Sequence, residues 1–426
     1  MLKKPLAFLS LVLFLAACAL PSSEDKAIVS ALDRYEKAYF QIIGKSDNWP
    51  EERDTISTAL QRINLQYVDA VDTDLLIDEA INGLQDTNSS IESPTERALT
   101  ALTASLDKNS GYMTPAAYKR YQENLDGHFT GFGFRIEMRD NRITVITPLE
   151  GSSAKEAGIL PEDVITHLNG EDLSKYSFQE AIAKMRGPEG SHAVLTIERP
   201  GVDTPIKLGL VRRPIDITVV EYKVDGTVGY IRIHTFNRKT ADKVDEALTH
   251  FSEKLGTNLC GVILDMRNNP GGLVNAAVDV ADQFLEEGNI FAAINRGRSF
   301  STENAHAGDR INGRPILVML NKGSASAAEI VAGALQSQDR AKIFGQTSYG
   351  KGTMQTLYDL DNGGGLRLTT GRFTAGGGIS FNGTGLNPDI PDNVVKGEST
   401  LAPIARAGKA LACAVSVQTA AAMNAQ

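Results

Sequence analysis

The 426-residue sequence predicts a multidomain α/β protein, and three observations carry that reading. Apolar residues recur with a period near 3.6 through the N-terminal quarter. A glycine-punctuated, strand-rich stretch follows. Strands then alternate with helices over most of the second half, the pattern of a βαβ core with partly parallel strands. A hydrophobic content of 42% and a charged content of 22% exclude wholesale disorder. The net charge of −9, with no basic cluster to offset it, argues against nucleic-acid binding.

The chain opens as an export signal. Lys3 and Lys4 precede the apolar run Pro5 to Leu15, and Ala16, Ala17 and Cys18 follow. This is a charged region, a short apolar region and a small-residue cleavage point, so residues 1–17 are expected to be removed. A membrane span wants roughly 20 apolar residues, and Pro21-Ser22-Ser23-Glu24-Asp25 closes the run early. Leu15-Ala16-Ala17-Cys18 resembles a bacterial lipobox. That resemblance implies acylation of Cys18 and a lipid-anchored protein of the cell envelope facing the periplasm. Ala19 stands where an aspartate would favour the inner membrane, so the outer membrane is the expected address.

Residues 18–125 read as mostly helical. Leu75, Leu76, Ile77, Ala80, Ile81 and Leu84 keep helical spacing, as do Leu99, Leu102 and Leu106, and Asp86 to Ser90 reads as a loop between them. Residues 126–213 change character. Phe134 and Ile136 belong to one strand and Ile143 and Val145 to the next, around an Asp140-Asn141 turn. Ser177-Phe178-Gln179-Glu180 is a capping box that opens a helix. This order, with Ala157-Gly158-Ile159-Leu160, resembles a PDZ domain. The resemblance makes Gly131-Phe132-Gly133-Phe134 a carboxylate-binding loop beside a strand edge that a peptide can extend.

Residues 214–396 form the predicted core. Gly229–Ile233, Gly261–Asp265 and Pro315–Leu320 read as strands. Thr240 to Leu255 reads as an amphipathic helix stopped by Gly256, Val274 to Leu285 as another, and a third begins near Ala325. Residues 397–426 are Ala-rich and read as a terminal helix and tail. Beyond Cys18 the cysteines are Cys260 and Cys413. An exported protein can pair them, but Cys260 lies in an apolar run, and buried free thiols are the favoured expectation. The histidines and cysteines show no metal-ligand spacing, and no cofactor is expected.

Two segments of the core carry chemistry. Asn321-Lys322-Gly323-Ser324-Ala325-Ser326-Ala327-Ala328-Glu329 places Ser326 at the mouth of a helix, whose first amides point toward an incoming anion. Gly345 to Gln355 places Lys351 between Gly350 and Gly352. A serine nucleophile needs a base near neutrality and amides for the oxyanion. Lys351 supplies the base if burial neutralises it, and Gln355 can orient the neutral amine. Ser324 reads as a turn or cap residue, and Ser348 stands too close to the lysine to form the same elbow. Asp265-Met266-Arg267-Asn268-Asn269-Pro270-Gly271-Gly272 is the expected source of a second oxyanion amide.

These three segments resemble the signatures of the carboxyl-terminal processing peptidases. So do the PDZ-like insertion, the helical N-terminal region ending in Leu106-Asp107-Lys108-Asn109-Ser110-Gly111-Tyr112, and Gly385-Leu386-Asn387-Pro388-Asp389. The resemblance runs from about residue 56 to residue 392. It implies a crotonase-like protease core that cleaves envelope proteins at or near exposed C-termini. Carried over, the nucleophile is Ser326, the base Lys351 and the helper Gln355. The oxyanion donors are Ala327 and a glycine at 271 or 272. Expected partners are protein or peptide substrates and a membrane through Cys18, with room for an adaptor protein. The rival reading is a non-catalytic PDZ adaptor on a degenerate protease core, and the intact Ser326, Lys351 and Gln355 argue against it. Ser152-Ser153-Ala154-Lys155 imitates the motif of penicillin-binding enzymes, but its companion motifs are reversed or missing.

Overall fold

Four helices make up the N-terminal part: α1 (Ser23–Ile42), α2 (Trp49–Gln66), α3 (Thr73–Gln85) and α4 (Pro94–Ala104). Asp72 caps α3 by accepting from the amides of Asp74 and Leu75, and Ser93 caps α4 ahead of Pro94. Trp49 gathers Tyr35, Tyr39 and Phe40 around it, with ring centroids 4.6 to 6.1 Å away. The computed structural model describes residues 23–87, 91–392, 402–411 and 413. Cys18, the end of the predicted 86–90 loop and most of the C-terminal tail lie outside the described residues. Two units emerge, Met1–Tyr112 with Leu360–Asn362, and Met113–Asp359 with Gly363–Gln426. The first thus ends before α5, which was expected to belong with the N-terminal helices. Among the described residues no helix is long and apolar enough to cross a membrane.

After β1 (Gly111–Met113), the second unit starts with α5 (Pro115–Leu125). A β-rich insertion follows: β2 (His128–Gly131), β3 (Phe134–Arg139), β4 (Arg142–Pro148), the short α6 (Ser153–Glu156), β5 (Val164–Leu168) and β6 (Glu171–Asp172). Then come α7 (Phe178–Met185), β7 (His192–Glu198), β8 (Ile206–Val211) and β9 (Arg213–Asp216). Its sheet runs β3-β4-β5-β7-β8, with β6 on β5. Alternating residues of the strands, among them Ile143, Val145, Leu195 and Ile197, turn inward to build a separate small core. The Ser177–Glu180 capping box forms as expected. Entry and exit lie side by side, because β2 pairs antiparallel with β9 and the Ile217 amide donates to Gly127 O at 2.9 Å.

The core contains β10 (Val220–Asp225), β11 (Val228–Ile233), α8 (Thr240–Leu255), β12 (Gly261–Asp265), α9 (Val274–Asp282), β13 (Asn289–Asn295), β14 (Arg298–Asn304) and β15 (Ile316–Leu320). It continues with α10 (Ala327–Ser337), β16 (Ala341–Gly345), β17 (Thr353–Asp359), β18 (Gly365–Ala375), β19 (Ile390–Pro391) and α11 (Ala402–Ala410). One sheet runs β10-β11-β12-β15-β16-β19, parallel from β11 onward. The helices α8, α9 and α10 lie in the connections from β11 to β12, β12 to β15 and β15 to β16, as a βαβ core requires. A second, antiparallel sheet sets β18 between β17 and the β13–β14 hairpin. The helix α8 has the predicted limits. The next, α9, is shorter than expected, because Phe284 and Leu285 leave the helical path and bury themselves in the core.

Cys260 and Cys413 form a disulfide with a Cα–Cα distance of 5.9 Å, which corrects the expectation of free thiols. Packing explains the pairing. Ile404, Ala407 and Leu411 cover the sheet face made by Val228, Tyr230, Ile263 and Leu317, and this carries Cys413 to the start of β12. A bridge across a sequence separation of 153 residues contributes about 5 kcal/mol in the chain-entropy account.

Candidate active site

The serine turn is built on the C-terminal ends of parallel strands. After β15 the chain turns at Asn321, whose side-chain oxygen accepts from the amides of Gly323 and Asn268 at 3.0 and 2.9 Å. Ser326 follows with φ +56° and ψ −115°, a conformation that non-glycine residues seldom hold. This break delays α10 to Ala327, two residues later than expected, and leaves Ser326 at the helix mouth. The neighbouring serines are engaged elsewhere. Ser324 is fully buried, and its hydroxyl donates to Met266 O at 2.8 Å. The Ser348 hydroxyl donates to Glu329 Oε1 at 2.5 Å and accepts from the Leu386 amide.

Glu329 is the centre of the arrangement. Its carboxylate is fully buried at the third position of α10. Oε2 accepts from the amides of Ser326 at 2.7 Å and Lys351 at 2.9 Å. Oε1 accepts from Ser348 Oγ and from the Gly350 amide at 2.6 Å. Four donors on two oxygens satisfy a buried carboxylate well, and they join the serine turn to the lysine loop. Sequence reasoning missed this residue, although Ser326-Ala327-Ala328-Glu329 has the S-x-x-E form of a capping box.

The Asp265–Gly272 segment lies against this turn. Asn269 is fully buried, its side-chain nitrogen donating to Ile233 O at 2.9 Å and its side-chain oxygen accepting from the Gly271 amide at 2.8 Å. Its carbonyl accepts from the Ala325 amide at 2.9 Å, which ties the two segments together. The Gly271 amide is therefore occupied. Among the described residues the amides of Gly272 and Ala327 donate to no protein acceptor. A Cβ on Gly271 would stand 2.8 Å from Ser326 Cβ and 3.0 Å from Ala327 N, so the contact is close. At Gly272, with φ +142°, a Cβ would fall 2.0 Å from Phe236 O.

Asp265, also missed in the sequence, anchors the start of this segment. Fully buried, it accepts from Tyr230 Oη and Arg232 at 2.8 Å and from Arg267 at 2.6 Å. Burial pushes its pKa up, but Arg267 and Arg232 more than offset this and hold it below the ordinary aspartate value.

Ser326, Lys351, Gln355, Gly271 and Gly272 line one cavity of about 880 Å³. Ala327, placed by its amide, begins the helix beside it. The Gln355 side-chain nitrogen donates to Thr353 O and Oγ1 and to Thr369 Oγ1, at 3.3 to 3.4 Å. In the insertion, Gly131 belongs to the β2–β9 ladder. Phe132 buries its ring under the Arg212 guanidinium, 4.8 Å from the ring centre. The carbonyls of Phe132 and Gly133 accept from Ala154 and Leu149, and Ser152 Oγ also donates to Gly133 O at 2.8 Å. Among the described residues the Phe132 and Gly133 amides donate to no protein acceptor. Phe134 starts β3, an edge strand of the insertion's sheet.

A parallel core sheet, a strained serine at a helix mouth, a lysine in the same cavity and a PDZ-like insertion define a serine peptidase with a peptide-binding module. Comparison with known proteins agrees. Residues 227–392 match peptidase family S41, and residues 144–199 match the PDZ domain. The chain is 39% identical over 334 residues to the carboxy-terminal-processing protease of Bartonella bacilliformis, covering 78% of this chain and 72% of that one. It is 35% identical over 303 residues to the carboxyl-terminal-processing protease of Synechocystis, covering 69% and 70%. A solved structure, the photosystem II D1 C-terminal processing protease, superimposes with a TM-score of 0.53 at 26% identity, covering 80% of this chain and 93% of that one. The chain belongs to peptidase family S41, the carboxyl-terminal processing proteases, and is a serine-type peptidase acting on proteins or peptides.

Proposed function

We propose that Ser326 is the nucleophile and Lys351 the general base. One observation carries this: of the three candidate serines, Ser326 alone opens to the cavity that Lys351 lines, while Ser324 and Ser348 give their hydroxyl protons to fixed acceptors. In the first step Ser326 Oγ attacks the peptide carbonyl carbon and its proton passes to the neutral amine of Lys351. The oxyanion faces the amides of Ala327 and Gly272. Collapse breaks the C–N bond as Lys351 gives its proton to the leaving amine. Water then attacks the acyl ester and gives a proton to Lys351, and collapse breaks the C–Oγ bond as Lys351 returns that proton to Ser326 Oγ. With the Gln355 nitrogen on its threonines, the carbonyl Oε1 is the end that suits an N–H of the neutral amine.

The insertion serves as the reader of substrate C-termini, through the amides of Phe132, Gly133 and Phe134. Cys18 carries the lipid, and the chain acts in the periplasm, attached to the outer membrane. The disulfide supports that address, because such bridges persist in oxidising compartments. Unmodified Cys18 in membrane-purified protein, seen by mass spectrometry, would overturn the anchor.

The dyad is tested with an unstructured protein as substrate. Ser326→Ala and Lys351→Ala should each lose on the order of 10⁴-fold in rate, and the double variant should be little worse. Lys351→Arg should be inactive, because arginine does not deprotonate. Strong cleavage by purified Ser326→Ala would remove the assignment.

A further inference from the structure

We propose that Asn382, an exposed side chain outside the lining of the catalytic cavity, is a positioning residue: its Oδ1 fixes the peptide plane that follows Lys351 and so sets the direction in which the lysine side chain leaves the backbone. This role rests on the proposed Ser326–Lys351 site and names what aims its base.

Peptide units are planar, so two planes meet at each Cα and together set where its side chain points. The plane before Lys351 is held at both of its polar groups. The Lys351 amide donates to Glu329 Oε2 at 2.9 Å, and Gly350 O accepts from the Gly383 amide at 2.8 Å. These bonds leave ψ of Lys351 open. The Gly352 amide closes it by donating to Asn382 Oδ1 at 3.0 Å. Gly352 O then accepts from the Phe373 amide at 3.0 Å, which ties the next plane to β18. Glu329 thus grips the lysine from one side and Asn382 from the other.

The turn that carries Asn382 is anchored firmly enough to do this. Phe381 is fully buried, its ring centroid 5.5 Å from that of Phe373. Its carbonyl accepts from the amides of Thr384 and Gly385 at 3.1 and 2.8 Å, which closes the turn. At the far end the Leu386 amide donates to Ser348 Oγ at 2.8 Å, and the Ser348 amide donates back to Leu386 O at 3.1 Å. Both ends are fixed while Asn382, Gly383 and Thr384 stay exposed. The glycine at 352 fits the same reading. Its backbone does not hold a positive φ, so no conformational need excludes a side chain there. A Cβ would instead stand 2.7 Å from Asn382 Cβ. The position is bare because Asn382 comes so close.

The test compares Asn382→Ala, which removes the acceptor, with Asn382→Asp, which keeps an oxygen at the same reach. Changing an exposed side chain ordinarily alters stability little, so both variants should melt near the wild type. On one peptide cut at a single bond, with each protein at its own optimal pH, Asn382→Ala should lose about 10²-fold in kcat, as for a small misplacement of a reacting group. KM should change less than about threefold. Asn382→Asp should recover kcat to within about fivefold of the wild type. Hydrogen exchange gives a readout that needs no catalysis. Fragments covering residues 348–353 should exchange up to about tenfold faster in Asn382→Ala, through the loss of one hydrogen bond, and at the wild-type rate in Asn382→Asp. An unchanged kcat in Asn382→Ala, an equal loss in both variants, or unaltered exchange would overturn the proposal. Should purified Lys351→Ala still cut, the dyad assignment falls, whereas the exchange rates still decide whether Asn382 fixes this loop.

Discussion

Ser326 and Lys351 share one hydrogen-bond acceptor: Glu329 Oε2 stands 2.7 Å from the Ser326 amide and 2.9 Å from the Lys351 amide. The proposed nucleophile and base come from separate loops, and a single buried carboxylate oxygen sets their backbones in register. The strained φ of Ser326 is thereby held from both sides, by the start of α10 and by the lysine loop.

Glu329→Gln should therefore damage chemistry more than binding. An amide must aim its NH₂ at one pair of donors, either Ser326 N and Lys351 N or Ser348 Oγ and Gly350 N. The dyad loosens while the cavity walls stay. We expect kcat to fall on the order of 10²-fold, as for a small misplacement of reacting groups, with KM changed less than about threefold. Glu329→Asp, one methylene short, should not restore the rate. Steady-state kinetics on one peptide decides this, and an unchanged kcat in Glu329→Gln would show that the carboxylate does not position the dyad.

Gly272→Ala should displace the amide proposed as the second oxyanion donor. The added Cβ would meet the Phe236 carbonyl at 2.0 Å, and neither backbone can give way cheaply. The Gly272 amide then moves, and kcat should drop about 10²- to 10³-fold, the usual effect of losing one such donor. Thermal melting shows whether the loop shift stays local. Near wild-type kcat would return the donor role to another amide.

The pH dependence of stability should carry the mark of Asp265. Its folded pKa lies below the ordinary aspartate value of 3.8, so its ionised form is favoured in the folded chain. That contribution is present above the unfolded pKa and is lost as pH falls through the folded one. Asp265→Asn leaves Arg232 and Arg267 without their carboxylate and should cost about 3–5 kcal/mol near neutral pH. Below pH 3.8 the wild type should lose melting temperature more steeply than the variant. Parallel curves for the two proteins would show that Asp265 is not the linked group.

Much of this was legible in the sequence, for physical reasons. The limits of α8 follow from a clean apolar period and a glycine stop at Gly256. The serine and lysine loops stand out because their glycine settings are unusual. What stayed hidden depends on long-range packing. Glu329 sits in an apolar helix, and three of its four donors come from residues 348–351. The choice between Gly271 and Gly272 turned on Asn269, whose side chain takes the first amide. The cysteine pair could not be read from spacing, because it forms only after α11 packs on the parallel sheet.

The PDZ-like insertion yields the last prediction. Free amides at Phe132 and Gly133, with both carbonyls drawn inward, suit a terminal carboxylate. Amidating the C-terminus of one substrate should then lower kcat/KM about tenfold or more, because a charge-assisted contact is lost. A bulky residue at Gly133 is a poor probe. Its Cβ would sit 2.3 Å from Ser152 Cβ, and the backbone there holds φ +81°, so the loop itself would break. The ligand must be varied rather than the protein. Competition sharpens the test, for a short free-acid peptide that is not cut should inhibit or stimulate cleavage, and its amide should do neither. Equal rates for acid and amide substrates, together with equal effects of the two competitors, would make the insertion a wall of the substrate path rather than a reader of C-termini.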